Sequence, residues 1–241
     1  ALGRRPRSRP RLSVLTRDSH TMEIMRIKSL WTGLRHLVVA GSGVLLAGCS
    51  TSIWVEADWP QPLIEPLPVR MGLLLDDEFL DYVHYEEIPR QATYLIQIGE
   101  ANELMMDGLF RSMFAALEPV YVLPLAPDDN YRIDGVLRPE LDRYEFDVPL
   151  GERDEFVEVW IQYLVRLYET DGQLVTEWPV SGYGKAELNN RQASLNRATV
   201  VAMREVGAVI STRFSEQPDI QYWLQEKENA TALSAEAPFN N

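Results

Sequence analysis

The chain has 241 residues, 46% of them hydrophobic, which is enough for one domain with a core. Its charge is divided: nine of the 23 Lys/Arg and two of the 36 Asp/Glu lie in residues 1–48, which carry +7, while the remainder carries −20. An acidic body argues against nucleic acid and against adhesion to anionic lipid through the folded surface, and the single cysteine, Cys49, excludes an intrachain disulfide.

Residues 1–24 are Arg-rich and possess no helical period. They are expected to be an upstream translation artefact or a disordered stretch, with Met22 or Met25 as the start; the alternative is a basic arm for nucleic acid. Residues 25–48 read as a signal peptide. Arg26, Lys28 and Arg35 form a positive region, followed by a short apolar run from Leu37 to Ala47. As a helix that run would span about 16 Å, roughly half a hydrocarbon core, too short for a stable membrane span. It ends in Leu46-Ala47-Gly48-Cys49. Those four residues resemble the lipobox of bacterial lipoproteins. The resemblance makes Leu46, Ala47 and Gly48 the recognition residues of the processing peptidase and Cys49 the lipidated residue. It implies diacylation of the Cys49 sulfur, cleavage before it, and acylation, typically palmitate, of the new amino terminus. Ser50 in place of Asp implies sorting to the outer membrane.

Residues 49–68 hold Pro60, Pro62, Pro66 and Pro68, a density that forbids helix and favours an extended tether from lipid to domain. Trp54 and Trp59 could rest at the membrane interface or pack on the domain. Residues 69–226 are expected to form one periplasmic domain. Val69–Leu75 is an apolar strand, 79–92 is mixed and polar, and Ala92–Ile98 is a second strand. Met106, Leu109, Phe110, Met113, Phe114 and Leu117 then recur at helical spacing until Pro119. Tyr121–Leu125 reads as a brief strand and Pro127-Asp128-Asp129-Asn130 as a turn.

Tyr131–Leu137 alternates as a strand that Pro139 limits or places at an edge. Phe156–Tyr168 is the longest strand, and the turn Thr170-Asp171-Gly172 folds it back on Leu174–Tyr183 as a hairpin. Leu195, Ala198, Ala202, Val206, Val209 and Ile210 mark a second amphipathic helix, ended by Pro218. Ile220–Leu224 adds a short packed turn, and residues 227–241 are expected to be a disordered tail. The expected fold class is α+β: a mostly antiparallel sheet with two amphipathic helices packed on one face.

No chemistry emerges from the motifs. The mature chain has one histidine, His84, in Asp81-Tyr-Val-His84-Tyr-Glu86. A cluster of His84, Asp81 and Glu86 can be drawn, but a solvated acidic loop with an incidental histidine is the simpler reading. Asp76-Asp77-Glu78 and Asp128-Asp129 lack the ligand ladder of a calcium loop. Gly182-Tyr183-Gly184 lacks the third glycine and strand-to-helix setting of a phosphate loop and reads as a turn after a strand. The expectation is a chain that is not an enzyme, with no cofactor and no metal.

The lipobox, the GEANELMMDGLFRSMFAAL helix after an apolar strand, and the RLYETDGQLVTEWPVSGYG hairpin together resemble small Gram-negative envelope lipoproteins. The layout is similar to YajG-type lipoproteins, to the lipopolysaccharide-assembly lipoprotein that plugs an outer-membrane barrel, and to auxiliary lipoproteins of lipid-transport ABC systems. It implies a lipid-anchored protein of the outer membrane facing the periplasm, with membrane lipid and a cell-envelope protein as partners. Three functions stay open: an accessory or scaffold in envelope assembly or lipid transport, a lipid or small-molecule binding module, and a tethered hydrolase built on His84.

Overall fold

A computed structural model describes residues 50–89, 92–126, 131–149 and 156–236. The elements run in the order β1 (Ser50–Trp54), β2 (Leu67–Leu74), α1 (Asp77–Leu80), β3 (Val83–Ile88), β4 (Ala92–Gln97) and α2 (Gly99–Met113). Then come β5 (Phe114–Val120), β6 (Gly135–Asp147), β7 (Phe156–Tyr168), β8 (Leu174–Glu187), α3 (Arg191–Arg213), a 3-10 turn at Phe214–Glu216 and α4 (Pro218–Glu236).

The α+β class holds, but the sheets are mixed rather than mostly antiparallel. One sheet has five strands in the order β5-β2-β6-β7-β8, the other three in the order β1-β4-β3. The β6-β7-β8 meander and the β3-β4 pair are antiparallel, while β2 runs parallel to both β5 and β6, and β1 parallel to β4. Periodicity says that a segment is a strand; the direction of its neighbour is set by the connection. Here α1, β3, β4 and α2 lie between β2 and β5, a crossover long enough for the chain to re-enter the sheet in the direction of β2. The parallel, central β2 reads as a near-continuous apolar run, with Val69, Met71 and Leu73 buried.

The long strands behave as their alternation predicts. Val157, Val159, Ile161, Tyr163, Val165 and Leu167 of β7 are all buried on one face. The opposite face carries ion pairs and hydrogen bonds among Trp160, Leu164 and Tyr168: Arg166 bonds Glu140 and Glu177, Lys185 meets Glu158 at 3.0 Å, and Gln162 donates to Asp142 at 2.9 Å. Gly172 closes the β7–β8 hairpin at φ 88°, a backbone region that favours glycine. A register shift between Leu141 and Arg143 of β6 is a bulge that keeps Leu141 and then Tyr144 pointing inward. Pro139 lies beyond the β2 pairing, which reaches only Leu137, so its missing N–H breaks no ladder on that side.

Helices α2 and α3 pack on the inner face of the five-stranded sheet. Gly182 and Gly184 are interior to β8, not a turn after it. A Cβ on Gly184 would lie 1.8 Å from the Ala198 carbonyl oxygen, and one on Gly182 would lie 2.1 Å from that of Ala202. These glycines let the α3 backbone approach the sheet.

Five other expectations are corrected. Ser50–Trp54, read as tether, pairs with β4 and buries Ile53; proline content warned against helix and had no bearing on pairing. Residues 83–88, inside the polar stretch 79–92, form β3, an edge strand whose glutamates hide it. The helix expected to continue to Pro119 stops at Met113, because pairing with β2 draws Phe114–Val120 into a strand and leaves Tyr121 and Val122 exposed. Pro218 starts a helix, at the first position where its ring fits. That helix buries Ile220 and Trp223 and runs to Glu236 through the first ten residues of the expected tail. The Pro127–Asn130 turn lies outside the described residues.

Candidate functional site

The four residues of the expected processing site, Leu46, Ala47, Gly48 and Cys49, lie outside the described residues. The residue that follows them, Ser50, opens β1 opposite Thr93 of β4. The ladder continues past Trp54 with the Val55 N–H donating to the Gln97 carbonyl at 3.1 Å.

From there the proline-rich segment follows α3 from its first turns toward its last. The Glu56 N–H donates to Asn196 Oδ1 at 3.4 Å, and Arg204 donates to the Asp58 carbonyl at 2.8 Å. Trp59, Pro60, Gln61 and Pro62 then border a cleft of about 210 Å³ whose other walls are Met105 and Leu109 of α2 and Met203, Arg204, Gly207, Ala208 and Ser211 of α3. The Trp59 indole N–H is buried there without a hydrogen-bond partner. Small-molecule sites ordinarily measure about 300–1,000 Å³. This cleft is smaller and is bordered by the chain's own tryptophan and prolines.

A larger cleft, about 510 Å³, opens between Leu67, Pro68 and Val69 at the start of β2 and Leu224, Lys227, Glu228 and Ala232 of α4, with Asp134 on its rim. Helix α4 is fixed beside it: Trp223 Nε1 donates to Glu169 at 2.9 Å, and Lys227 pairs with the same carboxylate at 2.7 Å.

His84 is not on a loop. It sits in β3 with a side chain 17% exposed, its Nε2 3.2 Å from Glu86. Its ring packs 4.8 Å from Tyr144 and 5.8 Å from Phe146. Glu86 is therefore its neighbour, as the sequence allowed, whereas Asp81 closes α1 and lines a different hollow with Trp54 and Tyr82. The histidine joins the small sheet to β6.

Two tyrosines are buried with polar partners. Tyr163 donates to Asn102 of α2 at 2.6 Å, and Tyr144 shares a 2.7 Å hydrogen bond with Thr199 of α3. Burial pushes both phenols well above their ordinary value. They remain neutral at physiological pH and tie one helix each to the sheet. Asn102 Nδ2 has no partner.

The carboxylates have structural duties as well. Asp76 caps α1 through the Phe79 N–H at 3.1 Å and pairs with Arg138 at 2.7 Å. Asp128 and Asp129 lie outside the described residues. Among the described residues no three His, Cys, Asp or Glu side chains are grouped to hold a metal, and no helix is long and apolar enough to cross a membrane.

These features define an α+β domain with two mixed sheets and an inner face covered by two helices. No protein family matches the chain, and no curated protein does. Solved structures overlap with it in part. A Xanthomonas campestris protein of the DUF330 family is 13% identical over 72% of this chain and 99% of its own, with a TM-score of 0.45. A homologue of the neuraminyllactose-binding hemagglutinin from Helicobacter pylori is 12% identical over 70% and 96%, at 0.43. A minor lipoprotein from Acinetobacter baumannii is 11% identical over 63% and 94%, at 0.38. Overlaps at these identities and scores transfer no function.

Sequence reading missed three features of the site: β1, the β8 glycines that face α3 and the path of the proline segment along α3. The first two had a signal. Ser-Thr-Ser-Ile-Trp is rich in strand formers, and glycines spaced by two on a strand share one face.

Proposed function

We propose that this chain is a lipid-anchored envelope lipoprotein, exported, cut before Cys49, and held at the outer membrane facing the periplasm as a non-enzymatic accessory or scaffold. One observation carries the reading. A positive region, a short apolar segment and Leu46-Ala47-Gly48-Cys49 follow one another immediately before Ser50, which is paired in a sheet of the folded domain. The charge division supports it, since the +7 leader ends where the −20 body begins. Two or more acyl chains at about 0.8 kcal/mol per buried methylene anchor such a body durably without help from its surface charge.

The test is processing. Globomycin should cause the uncut precursor to accumulate, and Cys49→Ala should abolish incorporation of labelled palmitate. Unchanged processing under globomycin would overturn the reading.

A second reading, a module that binds lipid or another apolar ligand, is favoured by the cleft of about 510 Å³ beside α4, which falls within the usual size of ligand sites. Native mass spectrometry of the purified protein would show a bound lipid, and Leu224→Arg would remove it. A tethered hydrolase would need His84 to meet a serine or carboxylates in a cleft; its Nε2 meets the single carboxylate of Glu86, and its ring packs on Tyr144 and Phe146.

A further inference from the structure

The domain has two ends, and the anchor joins one of them. At the first end lie Ser50 of β1 with its partner Thr93, the end of β3 at Ile88, the end of β6 at Asp147, the start of β7 at Phe156, and the start of α3. Contacts hold these together: Tyr94, the partner of Thr51, packs 5.1 Å from Phe146, and Ser194 of α3 donates to the Glu187 carbonyl at 2.6 Å. At the second end lie the β7–β8 turn, Gly135, and α4 with Trp223 against them. Strand β7 connects the two, and its 13 residues span about 40 Å.

We propose that the first end rests against the lipid headgroups, so that the long strands stand off the membrane and carry the hairpin turn and α4 about 40 Å away from it. This rests on the acylation of Cys49 proposed above. Chain length imposes this arrangement. Consecutive Cα atoms are about 3.8 Å apart, and Ser50, the residue after the anchor, is already paired in the sheet. The prolines that would have served as a tether are taken up along α3 by the bonds from Glu56 and to Asp58. No slack remains between lipid and domain. Among the described residues, the surface brought to the headgroups carries both signs, with Glu87, Asp147 and Glu187 beside Lys185 and Arg191. The short leash, and not attraction to anionic lipid, therefore sets the orientation, and neutral bilayers suffice.

The chemistry of the chain makes the test clean. Its only thiol is Cys49, which acylation consumes, so an introduced cysteine takes a fluorophore uniquely. Asn189→Cys places the label in the turn before α3, and Gln173→Cys places it in the hairpin turn; both sites are exposed. The acylated, full mature protein is reconstituted in phosphatidylcholine vesicles containing a small fraction of lipid with a nitroxide on its headgroup. Quenching at position 189 should exceed that at 173 several-fold. Inserting ten Gly/Ser residues between Cys49 and Ser50 should remove the difference. Equal quenching at both positions, stronger quenching at 173, or a difference that survives the insertion overturns the orientation. Flotation with the vesicles is read in the same samples: protein that fails to float refutes acylation, whereas floating protein with equal quenching refutes only the short leash.

Discussion

Helix α3 meets β8 on one side and α2 with the proline segment on the other, and the two contacts are built differently. Against β8 the backbones themselves approach, leaving no space for a Cβ at Gly182 or Gly184. Toward α2, Gly207 borders the 210 Å³ cleft, and a Cβ on it would meet nothing within 4 Å. The first contact is specified by backbone geometry and cannot relax by changing rotamers. The second is filled by flexible methionines and by a segment held at its edges, so it has room to adjust. A domain of this kind can keep the helix–sheet layer invariant while its outer cleft varies.

The largest effect should come from filling the tight side. Gly184→Ala puts a methyl into the Ala198 carbonyl and should destabilise the domain by about 3 kcal/mol or more, read by denaturant unfolding. If stability were unchanged, the close approach of α3 to β8 would be wrong. Next is Tyr163→Phe, which strips Asn102 of its remaining partner in the core; about 1–3 kcal/mol should be lost.

Alkali should act on the same layer. The folded state holds Tyr144 and Tyr163 neutral through burial, above the ordinary value of 10.0. Once pH passes that value the unfolded chain releases protons that the folded chain keeps. Stability is therefore full below pH 10 and falls above it, by about 1.4 kcal/mol per pH unit for each tyrosine. Tyr144→Phe should flatten that fall, and Thr199 would still donate to the Leu195 carbonyl at 2.8 Å. The smallest effect has the opposite sign. Gly207→Ala, inside a helix and facing open space, should stabilise by about 0.5–1 kcal/mol. A loss there would show the cleft to be tighter than its geometry.

Much of the domain was legible from residue order because period and turn chemistry are local. The alternation over Phe156–Tyr168, the Asp171-Gly172 turn and the apolar spacing of α2 and α3 each point to the element that forms. Misreadings occurred where a partner overrode local preference. Phe114–Val120 continues a helical spacing yet becomes β5 because β2 needs an edge neighbour. Residues 227–236 look like a polar tail, but the helix beginning at Pro218 is nucleated by docking Ile220 and Trp223, and it carries them along.

The candidate site divides the same way. The order of charge, apolar run and Leu46-Ala47-Gly48-Cys49 is a covalent pattern, readable without any fold, and it supplies the whole case for a lipid anchor. The slack between the proposed anchor and the domain is not a local property. Prolines bias a backbone toward extension, and an extended segment serves equally as a free tether or as a strand with a packed continuation. Only the pairing of Ser50–Trp54 with β4 and the bonds to α3 decide between them, because such contacts join residues more than forty positions apart.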